Sequence, residues 1–361
     1  LPISSGLILS PDCSALMKDQ VQKFVGADNP VASQWTFNRL ILHYANLCQQ
    51  AGGVDAFLIG SELIGLTRLR ERPGVYPFVQ ALVDLAQQCK TILGKSTLIS
   101  YSADWTEYGA HIVDHGQEIR FPLDPLWSSS SIDFIGIDAY WPLTDWRDSQ
   151  THIDANIASS VHDPNYLRRS LTSGEAYDFY YLNDADRAEQ IRTPITDGAY
   201  GKPWIYRSKD LVGWWSNLHI ERMNGLELSS PTQWTPASKP IWIMETGCPA
   251  VDKGSNAPNV FPDAKSSENA IPFFSQGTRD DLSQLRTLEA ILDHFDPMHE
   301  SFLIAQNPVS PLYGGHMVDP DRIHLWAWDA RPYPAFPTQS QVWGDSPNWQ
   351  TGHWLNGRLE Q

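Results

Sequence analysis

Residues 58–63 read LIGSEL, a short apolar run that ends on two small residues and then a carboxylate, Glu62. A buried strand that delivers an acidic side chain at its C-terminal end needs a reason, because an unpaired buried charge is costly. A distant stretch repeats the arrangement: IWIMETGCP, residues 241–249, places Glu245 at the end of its apolar run. Around these two segments the chain alternates amphipathic and apolar stretches. WTFNRLILHYANLCQQA (35–51) has helical spacing and stops at Gly52-Gly53, and VDAFLIGSE (54–62) follows as a buried strand. RPGVYPFVQALVDLAQQCKTILG (72–94) is a helix with Pro near its start and Gly94 at its end, leading into STLISYSADW (96–105), a second strand. SIDFIGIDAYWPL (131–143), KPIWIMETGCP (239–249) and RIHLWAWDARP (322–332) read as three further strands, with a long helix at 279–295 before the last. Short apolar strands alternating with amphipathic helices are βα units, and they predict a parallel sheet covered on both faces.

The strands share a second property: each ends in polar or aromatic residues. These are Ser61 and Glu62, Asp104 and Trp105, Asp138 and Tyr140, Glu245, and then Trp326, Trp328 and Asp329. In a closed α/β barrel such ends converge on one face, which carries the active site. Acidic residues at these positions also cap following helices, and for Asp104 or Asp329 that reading is equally open. Glu is a poor N-cap, so Glu62 and Glu245 point instead to a barrel mouth. Two carboxylates there suit glycoside hydrolysis, which needs one carboxylic acid and one carboxylate.

Composition excludes several alternatives. The 361 residues are 42% hydrophobic and 19% charged, which suits a large core. A net charge of −16 argues against a nucleic-acid partner, since such binding depends on Lys and Arg neutralising phosphates. No apolar run approaches the roughly 20 residues of a membrane span. The four cysteines are scattered, and no His or Cys lies at metal-ligand spacing, so neither metal nor cofactor is expected. The opening LPISSGLILS has neither an initiator Met nor a signal-peptide pattern, and the chain reads as a piece of a longer polypeptide.

The ordered motifs IGSEL, SYSADWTEY, IDFIGIDAYWPL, PIWIMETGCP and LWAWDARPYPAFP resemble strands four to eight of the retaining TIM-barrel glycoside hydrolases. More closely, the chain resembles the glycoside-hydrolase-like barrel domain of the tail hub protein of gene transfer agents and related prophages. DADRAEQIRTPITDGAYGKPW, GCPAVDKGSNAPNVF and NPVSPLYGGHMVDP carry that closer likeness, which runs from about residue 35 onward. The resemblance implies a (β/α)8 barrel in which strands four to eight are recognisable here and the first three lie upstream. SGLILS (5–10) is a weak extra strand candidate.

The resemblance also implies roles, residue by residue. Glu62 is the acid/base, Glu245 the nucleophile, and Tyr140 the hydrogen-bond donor to that nucleophile. Trp328, with Trp326 as the alternative, floors the sugar subsite; Asp104, Trp105 and Asp138 line it. Ser61 stands where the clan usually has an Asn that bonds the sugar 2-hydroxyl. The stretch 144–238, rich in Trp and Tyr, is expected as an insertion after strand six, either as a substrate wall or as a subdomain packed on its own aromatics. A helix at 184–192 capped by Asn183 is expected within it. The function implied is a retaining glycosidase acting on a β-linked envelope or capsular polysaccharide, with other tail proteins as partners, in a tail-like particle assembled in the cytoplasm. A catalytically weak structural or carbohydrate-binding tail component is the alternative.

Overall fold

The computed structural model describes residues 10–14, 16–26, 34–149, 151–260 and 269–326, together with positions 338, 339 and 341. Its centre is a parallel sheet of five strands: β1 (Ala56–Ser61), β2 (Leu98–Asp104), β3 (Ile135–Ala139), β4 (Ile241–Thr246) and β5 (Val318–Ile323). They are arranged side by side in chain order. That is the singly wound order of a βα barrel, whereas a doubly wound sheet reverses direction part-way. Among the described residues the barrel does not close. SGLILS lies almost wholly outside them, with only Ser10 described.

The inner strands form where sequence expects them because they are buried on both faces. Ile99, Tyr101, Ile135 and Ile137 are fully buried, and so is the polar Ser100 between them, whose hydroxyl donates to the Phe134 carbonyl at 2.5 Å. Close approach of β2 and β3 requires a glycine: a Cβ on Gly136 would lie 2.5 Å from the Tyr101 carbonyl oxygen. Helix Phe37–Gln50 starts after Thr36, whose hydroxyl accepts from the Arg39 N–H. Helix Pro77–Leu93 has Pro in its first turn and ends at Gly94 in a left-handed conformation. The helix starts at Pro77, five residues later than the pattern suggests, because Arg72 and Val75 first close a turn around Gly74.

The last strand departs from expectation. It runs over Val318–Ile323 rather than 322–332, and residues 327–332 are outside the described part. VDPDRI contains a Pro and three charges, features tolerated only at a sheet edge, which is where β5 lies.

Two compact units divide the chain. The first comprises 1–138, 211–244 and 308–319. It holds a four-stranded antiparallel sheet tied by ion pairs of Arg70 with Asp12 and Glu118, and of Arg120 with Glu118 and Glu221. Trp214, Trp215 and Trp234 are each 2% exposed, so the GWW stretch belongs to a core. His219 stacks on Phe121 and Trp234 there, with its ring nitrogens against the Asp124 carboxylate and the Trp214 carbonyl. The second unit comprises 139–210, 245–307 and 320–361. Within it, helix Asp281–Phe295 is capped by Asp280, and the short helix Asp184–Ala188 by Asn183. The stretch 144–238 therefore contributes to both units.

Lys209 fastens the second unit. It is buried, and its three ammonium donors meet the carbonyls of Pro142, Ser170 and Ser173 at 2.9, 2.7 and 2.7 Å. Burial pushes its pKa down to about 7, against the pull of Glu175 and Asp178. The unfolded value is about 10.4, so between the two the unfolded chain holds the extra proton and stability rises with pH. Lys209→Met should cost about 3 kcal/mol by leaving buried carbonyls unpaired. Denaturant titrations should show the wild-type advantage growing as pH climbs from about 7 toward 10, where the variant has no such slope.

Candidate active site

In the first unit, β1 carries a bulge. Leu58 pairs with Ser100 but Ser61 with Ser102, so one extra residue sits between them and brings Ser61, not Gly60, beside Ser102. The Ser61 hydroxyl donates to Asp138 Oδ2 at 3.0 Å and the Ser102 hydroxyl to Asp138 Oδ1 at 2.6 Å. Asp138 itself is fully buried at the end of β3. Immediately after the bulge, Glu62 is exposed and adopts φ +51°, a left-handed conformation disfavoured for a residue with a Cβ. Two bonds hold it there: the Glu62 N–H donates to the Ser102 carbonyl at 2.8 Å, and the Leu63 N–H to the Tyr101 hydroxyl at 2.6 Å.

The end of β2 contains a residue the sequence analysis missed. Glu107 is 2% exposed and accepts from the Tyr101 hydroxyl at 2.9 Å, the Thr67 hydroxyl at 2.5 Å and the Asp104 N–H at 3.2 Å. Burial pushes its carboxyl up to about 7, against those three donors. A signal for it exists in DWTE (104–107), where an acidic residue is followed three positions later by Glu, the spacing of a capping box. Asp104 also accepts from the Thr106 N–H at 2.7 Å, while Trp105 is half-buried.

In the second unit, Tyr140 follows β3 and its hydroxyl donates to Glu245 Oε2 at 2.7 Å. Both residues are half-buried. The next residue along β4, Thr246, donates its hydroxyl to the Ala139 carbonyl and accepts the Trp326 N–H on its own carbonyl, both near 2.8–2.9 Å. These bonds fix the backbone just after Glu245. Gly247 allows the approach, since a Cβ there would meet the Trp326 carbonyl oxygen at 2.8 Å. The Trp326 side chain is 59% exposed; Trp328 lies outside the described residues. Among the described residues no cluster of His, Cys, Asp and Glu has the arrangement of a metal site, and no helix is long and apolar enough to cross a membrane.

The sequence matches a family model, the GTA TIM-barrel-like domain, over residues 35–337. The chain belongs to this family. Among solved structures, one similar chain is a GH113 beta-1,4-mannanase, with a TM-score of 0.33 and 14% identity. The match covers 74% of this chain and 51% of the mannanase, so the chain spans about half of that protein's length. No curated protein matches the sequence.

In this GTA TIM-barrel-like domain Glu62 is one of ten described non-glycine residues with positive φ, and its strain has a measurable consequence. A left-handed non-glycine residue costs on the order of 1 kcal/mol unless its side chain is needed. Glu62→Gly should therefore leave the domain as stable as wild type, or more stable by up to about 1 kcal/mol. Urea denaturation would read this as an unchanged or raised midpoint. A midpoint that falls would mean that the Glu62 side chain itself stabilises the fold.

Proposed function

We propose that the domain is a retaining glycoside hydrolase acting on a β-linked envelope or capsular polysaccharide, as part of a phage-tail-like hub that also contacts other tail proteins. The observation that carries this reading is the Tyr140–Glu245 hydrogen bond at the end of β4. A phenol donating to a half-buried carboxylate favours its ionised form, the state a nucleophile requires. The strained, exposed Glu62 supports the second role. In the proposed first step, Glu62 gives its proton to the glycosidic oxygen while Glu245 attacks the anomeric carbon; the C–O bond breaks and a glycosyl ester forms. In the second step, Glu62 takes a proton from water, the water oxygen bonds to the anomeric carbon, and Glu245 leaves.

The remaining assignments follow from their neighbours. Asp138 orients Ser61 and Ser102, Asp104 and Trp105 line the sugar, and Trp326 or Trp328 supplies a flat ring for its apolar face. One contact favours a second reading, a carbohydrate-binding tail component with weak catalysis. The Ser61 hydroxyl proton is committed to Asp138, so toward a sugar 2-hydroxyl it offers only an acceptor.

Hydrolysis of bacterial polysaccharides and peptidoglycan fragments, followed by NMR of the newly formed anomeric centre, tests the proposal. Retained configuration is expected. Glu245→Gln should lower turnover by at least about 1,000-fold with Kd nearly unchanged, and azide should restore turnover of Glu245→Gly on an activated glycoside. Glycan binding without hydrolysis, unaffected by Glu245→Gln, would favour the binding component. If the wild type neither cleaves nor binds any glycan, both readings fail.

A further inference from the structure

We propose that Glu107 is a positioning residue of the candidate site, clamping the turn that carries Glu62 to the loop that carries Asp104. The proposal rests on reading Glu62 as the acid/base, and it concerns residues of the first unit alone.

The chain of contacts is continuous. The Leu63 N–H, one residue beyond Glu62, donates to the Tyr101 hydroxyl at 2.6 Å, and that hydroxyl donates to Glu107 Oε1 at 2.9 Å. The same Oε1 accepts from Thr67, in the short helix Ile64–Thr67 that follows the turn. The other oxygen, Oε2, accepts from the backbone N–H of Asp104. One buried carboxylate thus takes donors from the segment after β1, from the side chain of Tyr101 within β2, and from the end of β2.

Three donors converging on one group specify a pure acceptor, which Glu107 is in its ionised form, above its pKa of about 7. A glutamine cannot replace it: with its oxygen toward Tyr101 and Thr67, its NH2 opposes the Asp104 N–H. Turned over, it leaves Tyr101 without an acceptor. Burial also pushes the Tyr101 hydroxyl well above its ordinary pKa, so it remains a donor across the working pH range. The left-handed φ of Glu62 needs such a device. Strained residues persist when their surroundings over-determine them, and here two successive N–H groups are captured by β2. Solvent would satisfy those groups equally well in a relaxed turn, so a captured Leu63 N–H has the effect of aiming Glu62.

The test compares wild type with Tyr101→Phe, which keeps the ring and removes the relay, and Glu107→Gln, which keeps the shape and removes the pure acceptor. Hydrogen exchange of the Leu63 amide, followed by NMR, should accelerate at least about tenfold in Tyr101→Phe, while amides of β3 keep their protection. Two substrates then separate aim from general damage. An unactivated β-linked oligosaccharide needs a proton on its leaving oxygen, whereas a 2,4-dinitrophenyl β-glycoside does not. Both variants should lose about 10- to 100-fold in kcat on the oligosaccharide with KM within about threefold, and change little on the aryl glycoside.

Unchanged Leu63 exchange in Tyr101→Phe overturns the clamp whatever the activity. Faster exchange with equal losses on both substrates, or with no loss, overturns the positioning role. If the wild type cleaves neither substrate, the glycosidase reading is what has failed. The clamp is then decided by Leu63 exchange alone, and it is refuted if that exchange is unchanged in Tyr101→Phe.

Discussion

The end of the central sheet depends on how one buried carboxylate is satisfied. Asp138 is fully buried, and the cost of desolvating it is several kcal/mol unless donors replace water. Ser61 from β1 and Ser102 from β2 provide them, one to each oxygen. Because the three residues lie on three strands, their bonds fix two registers at once, Ser61 against Ser102 and Asp104 against Asp138. A slip of one residue would turn a serine to the other face and leave the carboxylate short of a donor. The bulge in β1 follows from this constraint, since without the extra residue Gly60 would stand beside Ser102. The left-handed turn at Glu62 is what the chain does on leaving that bulge.

Buried acids elsewhere are handled by a different chemistry. In the second unit, Asp145 meets Arg147, Arg192 and the Tyr181 hydroxyl at 2.5–2.8 Å. Burial works to raise its pKa, but the Tyr181 and Arg192 bonds and the Arg147 charge outweigh it and hold the carboxyl below its ordinary value. Glu107 has only neutral hydrogen-bond donors, and burial prevails, pushing it up to about 7. The difference lies in the partners' charge rather than in depth. Ion pairs lock Asp145 into a single protonation state, as suits a scaffold. Neutral donors leave the Glu107 region free of a fixed countercharge bonded to the acid.

Much of this was legible in the sequence, for reasons that can be named. β2 to β4 announce themselves because strands buried on both faces cannot alternate, whereas β1, at the sheet edge, buries only Ile59; small residues appear where backbones approach, as at Gly136 and Gly247. Helix limits were legible at Gly94 and Asn183, whereas the helix ending at Gly94 starts five residues later than its pattern suggests, at Pro77. β5 was misplaced because an edge strand need not be apolar: LWAW draws the eye, yet VDPDRI makes the pairing. Glu62 and Glu245 stood out as carboxylates after apolar runs. Glu107 did not, because the motif around it reads as an ordinary cap, and only the fold brings Thr67 and Tyr101, 40 and 6 residues away, onto the same oxygen.

The aromatic load shows the limit of composition most clearly. Fifteen tryptophans suggest stacking on a ligand, but a substrate wall and a core both call for large apolar rings, so sequence alone leaves the choice open. Burial separates them. Trp127, Trp214, Trp215 and Trp234 are buried, Trp214 stacking on Trp234 and Trp127 lying against Tyr101, and Trp204 is 9% exposed in its own unit. Rings used in this way cannot also present a face to a sugar. Trp105 and Trp326 differ: one is half-buried, the other 59% exposed, and both come just after a strand of the central sheet. Leaving an indole in water forgoes apolar burial worth about 2–3 kcal/mol, which Trp127, Trp141, Trp204, Trp214, Trp215, Trp234 and Trp242 obtain. Seven of the described tryptophans are thus committed to cores, while Trp105 and Trp326 keep ring surface open just after a strand, as Trp35, 62% exposed, does ahead of helix Phe37–Gln50.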